Sequence, residues 1–140
     1  MTDNRLIQEW LEKANEDLAF ARVNFEEGKN FNAQICFHFQ QSAEKYLKAF
    51  IVAYNLEFRK THDLIALLNQ CLAGEPSLAE LREDLEYLNA FYIESRYPVH
   101  WPSNYSHIET EKALNAAIRI QSLIKSLIDK RQTEISENSA

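Results

Sequence analysis

Residues 32–54 read NAQICFHFQQSAEKYLKAFIVAY, and at about 100° per residue they sort onto two unequal faces. Cys36, Phe39, Ala43, Leu47, Phe50 and Tyr54 fall on one side, and Ile35, Tyr46, Ala49 and Ile51 widen it. The opposite side carries Gln34, His38, Gln41, Lys45 and Lys48, with Glu44 beside them four residues before Lys48. A helix this apolar is covered by neighbours on most of its circumference. It is therefore the central element of a helical bundle, and its polar seam is either a solvent face or the wall of a groove suited to an acidic ligand.

Upstream, residues 4–27 place Ile7, Trp10, Leu11, Ala14, Leu18, Ala21 and Phe25 on one helical face and stop at Gly28. The GKNF connection is short enough that the central helix must return antiparallel to the first. Downstream, residues 54–60 break the period, and Thr61-His62-Asp63 opens a short helix with Thr61 as N-cap. Ser77 and Glu80 have capping-box spacing ahead of Leu78, Leu81, Leu85, Leu88 and Tyr92, a helix that runs to about Ser95. RYPVHWPSNY at 96–105 holds two prolines and is a loop. Ser106 and Glu109 repeat the capping-box spacing, and the last helix turns Ala113, Ala117, Ile120, Ile124 and Leu127 inward as far as Lys130. Residues 131–140 are polar and without period, which predicts a flexible tail after a single domain at 1–130.

Composition bounds the function. Two glycines and three prolines in 140 residues favour an all-α fold over any sheet. A net charge of −6 gives no basis for broad nucleic-acid or anionic-membrane binding, which needs clustered Lys and Arg. A local basic pocket is compatible with that balance. Cys36 and Cys71 lie on apolar faces without CxxC or Cys/His spacing, as buried thiols in a reducing cytoplasm would. His38, His62, His100 and His107 show no paired metal-ligand spacing, and two glycines leave no phosphate-cradling loop. Neither a metal nor a cofactor is expected. The absence of a basic recognition helix argues against sequence-specific DNA binding, and the absence of a long apolar run argues against a membrane span.

The ordered trio of FHFQQSAEKYLKAF, THDLIALL and ESRYP, followed by a closing amphipathic helix, resembles the HEPN domain family over about residues 5–130. The resemblance implies an up-and-down antiparallel bundle of four long helices plus one short helix, usually a homodimer. It also implies a nucleotide- or RNA-associated module acting with a partner nucleotidyltransferase, in a toxin–antitoxin-like pair. Several branches of the family are metal-independent ribonucleases with an Arg, four to six residues, then a His. Here the matching Arg is Arg96, and His100 follows after three residues, Tyr97, Pro98 and Val99, one short of that spacing.

The chemistry explains that pairing, because cleaving RNA without a metal needs a proton acceptor, a proton donor and fixed positive charge on the phosphorane. Histidine can serve as the first two and arginine supplies the third. Arg96 and His100 are thus the candidate catalytic residues. Gln41, Lys45, Lys48, His62, Arg96 and Tyr97 are the candidate ligand-binding residues. The alternatives stay open beside them. Arg96 can cap its own helix, and His100 can pack in its loop. Glu44 with Lys48 can be an ordinary surface pair worth tenths of a kcal/mol. His62 can fix a turn as readily as it can donate to a phosphate. Three functions follow: an associated module with a nucleotidyltransferase, a ribonuclease, or a purely structural dimerisation module.

Overall fold

A computed structural model describes residues 3–96 and 105–139. All of the regular structure described is helical: α1 (Asn4–Glu26), α2 (Asn32–Ala53), α3 (Leu64–Cys71), a 3-10 turn (Pro76–Leu81), α4 (Arg82–Arg96) and α5 (His107–Ser139). The architecture is an antiparallel bundle of four long helices and one short one.

The bundle is built around α2, which packs against α1, α3, α4 and α5. Its sequence-predicted inner face is the core: Cys36, Phe39, Ala43, Leu47, Phe50, Ile35, Tyr46, Ala49 and Ile51 are all at most 1% exposed. A part-buried polar cluster borders this core. The Tyr46 hydroxyl bonds to Asn15, and Gln121 Nε2 donates to both Tyr46 Oη (2.8 Å) and Asn15 Oδ1 (3.1 Å), joining α1, α2 and α5. These bonds link the register of the three helices.

Both ends of the α1–α2 hairpin close by backbone geometry. Gly28 takes φ +73°, and the bonds Gly28 N→Phe25 O (3.0 Å) and Lys29 N→Asn24 O (3.1 Å) form a Schellman cap. At the far end Asn55 takes φ 54°, with Asn55 N→Val52 O (3.2 Å) and Leu56 N→Ile51 O (2.9 Å). The chain is thereby turned sharply back over α2.

Three local expectations are corrected. The N-cap of α3 is Asp63, whose carboxylate accepts from Ile65 N and Ala66 N, while Thr61 Oγ1 accepts from Asp63 N. Asn89 Oδ1 takes the Leu64 N–H at 2.8 Å, and the cap lies two residues after Thr61. Ser77 and Glu80 form no capping box. Glu75 is the cap, accepting from Ser77 N and Ser77 Oγ, because Pro76 tightens the entry into a 3-10 turn. Finally, α5 continues to Ser139, past Lys130 where the apolar period ends. Residues 131–139 hold neither proline nor glycine, so nothing in them stops a helix. The Ser106–Glu109 box does form, with Ser106 N→Glu109 Oε1 at 3.1 Å and Glu109 N→Ser106 Oγ at 3.0 Å.

Candidate functional site

The polar seam of α2 is split by its surroundings. At its N-terminal end His38 packs edge-on to Phe20, with ring centroids 4.7 Å apart. Lys45 reaches Asp17 of α1, and His38 Nδ1 stands 3.8 Å from the same carboxylate. Burial pushes the Asp17 carboxyl up, but His38 and Lys45 outweigh it and hold it below the ordinary carboxylate range. Lys45 is thus engaged in tying α1 to α2. Gln41 is half-buried between the two parts of the seam.

The C-terminal part is a buried charged array. Glu44 and Lys48 are each 7% exposed, and Lys48 Nζ donates to Glu44 Oε2 at 2.9 Å. This overturns the reading of an exposed i, i+4 pair. The covering comes from α1 and from the segment after α2: Lys48 Nζ lies 5.6 Å from the Trp10 ring centroid and 5.8 Å from that of Phe58. His62 closes the array, its Nδ1 lying 2.9 Å from Glu44 Oε1 and 3.1 Å from Oε2. An ionised carboxylate only accepts, so Nδ1 is the nitrogen that donates to it. Gln40 Nε2 donates to the His62 carbonyl at 3.3 Å, which anchors the same residue by its backbone.

On its outer side His62 stacks on Tyr92 of α4, with centroids 4.8 Å apart and planes 20° apart. Tyr92 in turn stacks on Phe37, at 6.0 Å and 29°. Lys60, Thr61, His62, Asp63, Asn89 and Tyr92 line an open groove of about 440 Å³. Asn89 Nδ2 donates to Asp63 Oδ1 at 3.2 Å, so the far wall is fixed by the α3 cap. Arg96 is the last residue of α4, four residues beyond Tyr92. Its side chain, together with Tyr97 and His100, lies outside the described residues. The downstream end of that stretch is pinned where Asn32 Nδ2 donates to the Tyr105 carbonyl at 2.7 Å.

A model of the HEPN domain matches residues 7–127. The chain belongs to the HEPN domain family. This HEPN chain is also similar to the crystal structure of an archaeal HEPN homologue, with 28% identity and a TM-score of 0.71 over 87% of this chain and 97% of that one. No curated protein matches it. The family is in general nucleotide- or RNA-related. Among the described residues of this HEPN chain no helix is long and apolar enough to cross a membrane.

Of the residues singled out from sequence, the fold brings Lys48 and His62 together and directs Lys45 elsewhere. Sequence reasoning missed Glu44 as the group joining Lys48 to His62, and Tyr92, Asn89, Trp10 and Phe58 as the surrounding walls. Glu44 was visible beside the seam. What made it a hub is the fold-back of Phe58 and His62, which no helical period encodes.

Proposed function

We propose that this HEPN domain is a nucleotide- or RNA-associated module acting with a partner nucleotidyltransferase, in a toxin–antitoxin-like pair and as a homodimer in the cytoplasm. The observation that carries the reading is the groove at His62. It has an aromatic wall in Tyr92, an imidazole held against Glu44, and α4 ending in Arg96 one turn further on. Aromatic faces take nucleobases by stacking, and a guanidinium recognises phosphate through a bidentate fork that lysine cannot reproduce. The exposed Arg59 and Lys60 next to His62 add local positive charge to a chain that is acidic as a whole.

The test is a titration of wild type, Arg96→Ala and Arg96→Lys with labelled RNA and labelled nucleotides. Arg96→Ala is expected to weaken association strongly, and Arg96→Lys to restore it in part. Equal binding by wild type and Arg96→Ala would remove Arg96 from the site. Absence of binding by wild type would leave the purely structural dimerisation module as the better reading.

A ribonuclease using Arg96 and His100 is the second reading, favoured by the match of Arg96 to the family motif. His100→Ala should then lower turnover by roughly 10²–10⁴ while leaving binding nearly unchanged. With only three residues between the pair, His100→Ala is expected to change little.

A further inference from the structure

A second groove, sharing no residue with the one at His62, runs between α5 and the start of α4 and encloses about 680 Å³. On its α5 side Ile118, Ser122 and Ser126 follow one another at four-residue steps, a row of about 12 Å at the helical rise. Ser122 and Ser126 are exposed and short, so another helix can come close to the α5 backbone there. Ile118 and Leu123 are half-buried, and with buried Leu81 they make the apolar part of the lining. The opposite wall is acidic. Glu80, Glu83 and Asp84 stand on it, against Arg119 as the one cation in the lining. Arg119 is committed, its Nε and Nη2 donating to Asp84 Oδ2 and Oδ1 at 2.8 Å each. Glu80 and Glu83 are exposed, and no ion pair among the described residues engages them. An acidic first turn is ordinary at a helix start and accounts for Glu83 and Asp84. It accounts neither for Glu80, which precedes the helix, nor for the apolar lining beside it.

Unpaired carboxylates repel phosphates, so this groove is not a surface for RNA. An apolar strip of two helical turns, charged along one edge and hydroxylated along the other, takes an amphipathic helix lengthwise. We propose that this groove docks a basic amphipathic helix of a partner protein. Apolar side chains of that helix at i, i+3 or i+4 and i+7 lie along Ile118 and Leu123. Lysines or arginines on one flank meet Glu80 and Glu83, and small polar residues on the other flank pass Ser122 and Ser126. Only one wall is charged, so a helix with one basic flank fits in one direction along the groove. A second copy of this chain, with its net charge of −6, is the less suited occupant. The docking surface is independent of the His62 groove and of what that groove binds.

The test titrates the full chain with three labelled peptides of about four helical turns. The first carries leucines along one face, lysines on one flank and serines on the other. The second has the same composition in scrambled order, and the third has glutamates in place of the lysines. Wild type is expected to bind the first peptide roughly tenfold or more tightly than the second, and the third not at all. Glu80→Gln combined with Glu83→Gln should weaken the first peptide roughly tenfold and flatten the salt dependence of its binding. Ser122→Trp fills the groove and should abolish binding, with melting temperatures showing that each variant is folded. If Ser122→Trp does not fold, the double glutamine variant decides alone. Equal binding of the first and second peptides, or binding undiminished in the variants, would overturn the proposal in favour of diffuse attraction to an acidic surface. No binding of the first peptide by wild type would overturn it outright. A fall from a dimer to a single-chain mass in Ser122→Trp would overturn it in favour of a second copy. RNA and nucleotide binding is read in the same samples, so a failure of the His62 reading shows there and not in the peptide titration.

Discussion

Glu44 and Lys48 are four residues apart on a helix, a spacing that on an exposed face contributes only about 0.3–0.5 kcal/mol. In this chain Trp10, Phe58 and His62 cover the pair, and its energetics change with the burial. Removing one member leaves a charge uncompensated in a dry site, so Lys48→Ala should destabilise by about 3–5 kcal/mol in a urea titration. A loss below about 0.5 kcal/mol would return the pair to the surface. Ala43 makes the complementary case. Helical periodicity places it opposite the seam, and it is fully buried. Ala43→Phe should cost about 1–3 kcal/mol through overpacking, and an unshifted denaturation midpoint would mean that α2 is rotated from the arrangement described. Ala43 was legible from sequence because its burial depends on the phase of its own helix. The burial of Glu44 was not, because it depends on a chain reversal at Asn55 and on an aromatic residue from α1. The cysteines were legible for the same reason as Ala43. Both thiols are buried, and burial pushes them up to about 12, so neither should react with a thiol reagent before the bundle unfolds.

Between elements, the link from Lys45 to Asp17 has a pH signature. Asp17 is held below its ordinary value in the folded chain, so the unfolded chain binds more protons as acid is added. Its stabilisation is present above the ordinary carboxylate range and is lost as pH falls through the depressed value. Lys45→Met removes one of the groups holding Asp17 down, and acid unfolding should then begin at a higher pH. Unfolding by acid at the same pH in both proteins would show that Lys45 does not hold α1 to α2 electrostatically. The end of α5 behaves differently. Residues 133–138 are exposed, so deleting 133–140 should leave stability within about 0.5 kcal/mol, as substitutions at exposed positions do. A larger loss would place the domain boundary beyond Lys130. Helix starts were less legible than helix faces, as Ser77 shows. Its spacing to Glu80 matched a capping box, yet Pro76 and the Glu75 carboxylate produced a different entry. At Ser106 the same spacing led to the predicted box, with Tyr105 rather than a proline directly before it.

For the molecule as a whole, the apolar faces of α4 and α5 do not by themselves require a second copy. Leu78, Leu81, Leu85, Leu88, Ala113, Ala117, Ile120, Ile124 and Leu127 are all covered within one chain. Phe20, Val23, Phe31 and Ile108 remain more than half exposed, and a homodimer would draw on such side chains. Light scattering at micromolar concentration is expected to give twice the mass of 16.4 kDa, and a single-chain mass would leave those four side chains in water.

The place of α2 in the packing has a consequence for finding a ligand. Glu44 and Lys48 belong to the helix against which α1, α3, α4 and α5 all pack, so their own positions are fixed by the folded bundle. Anything held there withdraws folded chains from the unfolding equilibrium and raises the melting temperature of the entire protein, by about 2.7 kcal/mol of added stability at a hundred times its dissociation constant. A melting screen over nucleotides and short RNAs would consequently report occupancy without a label, and would let the groove itself select its occupant from the mixture of candidates.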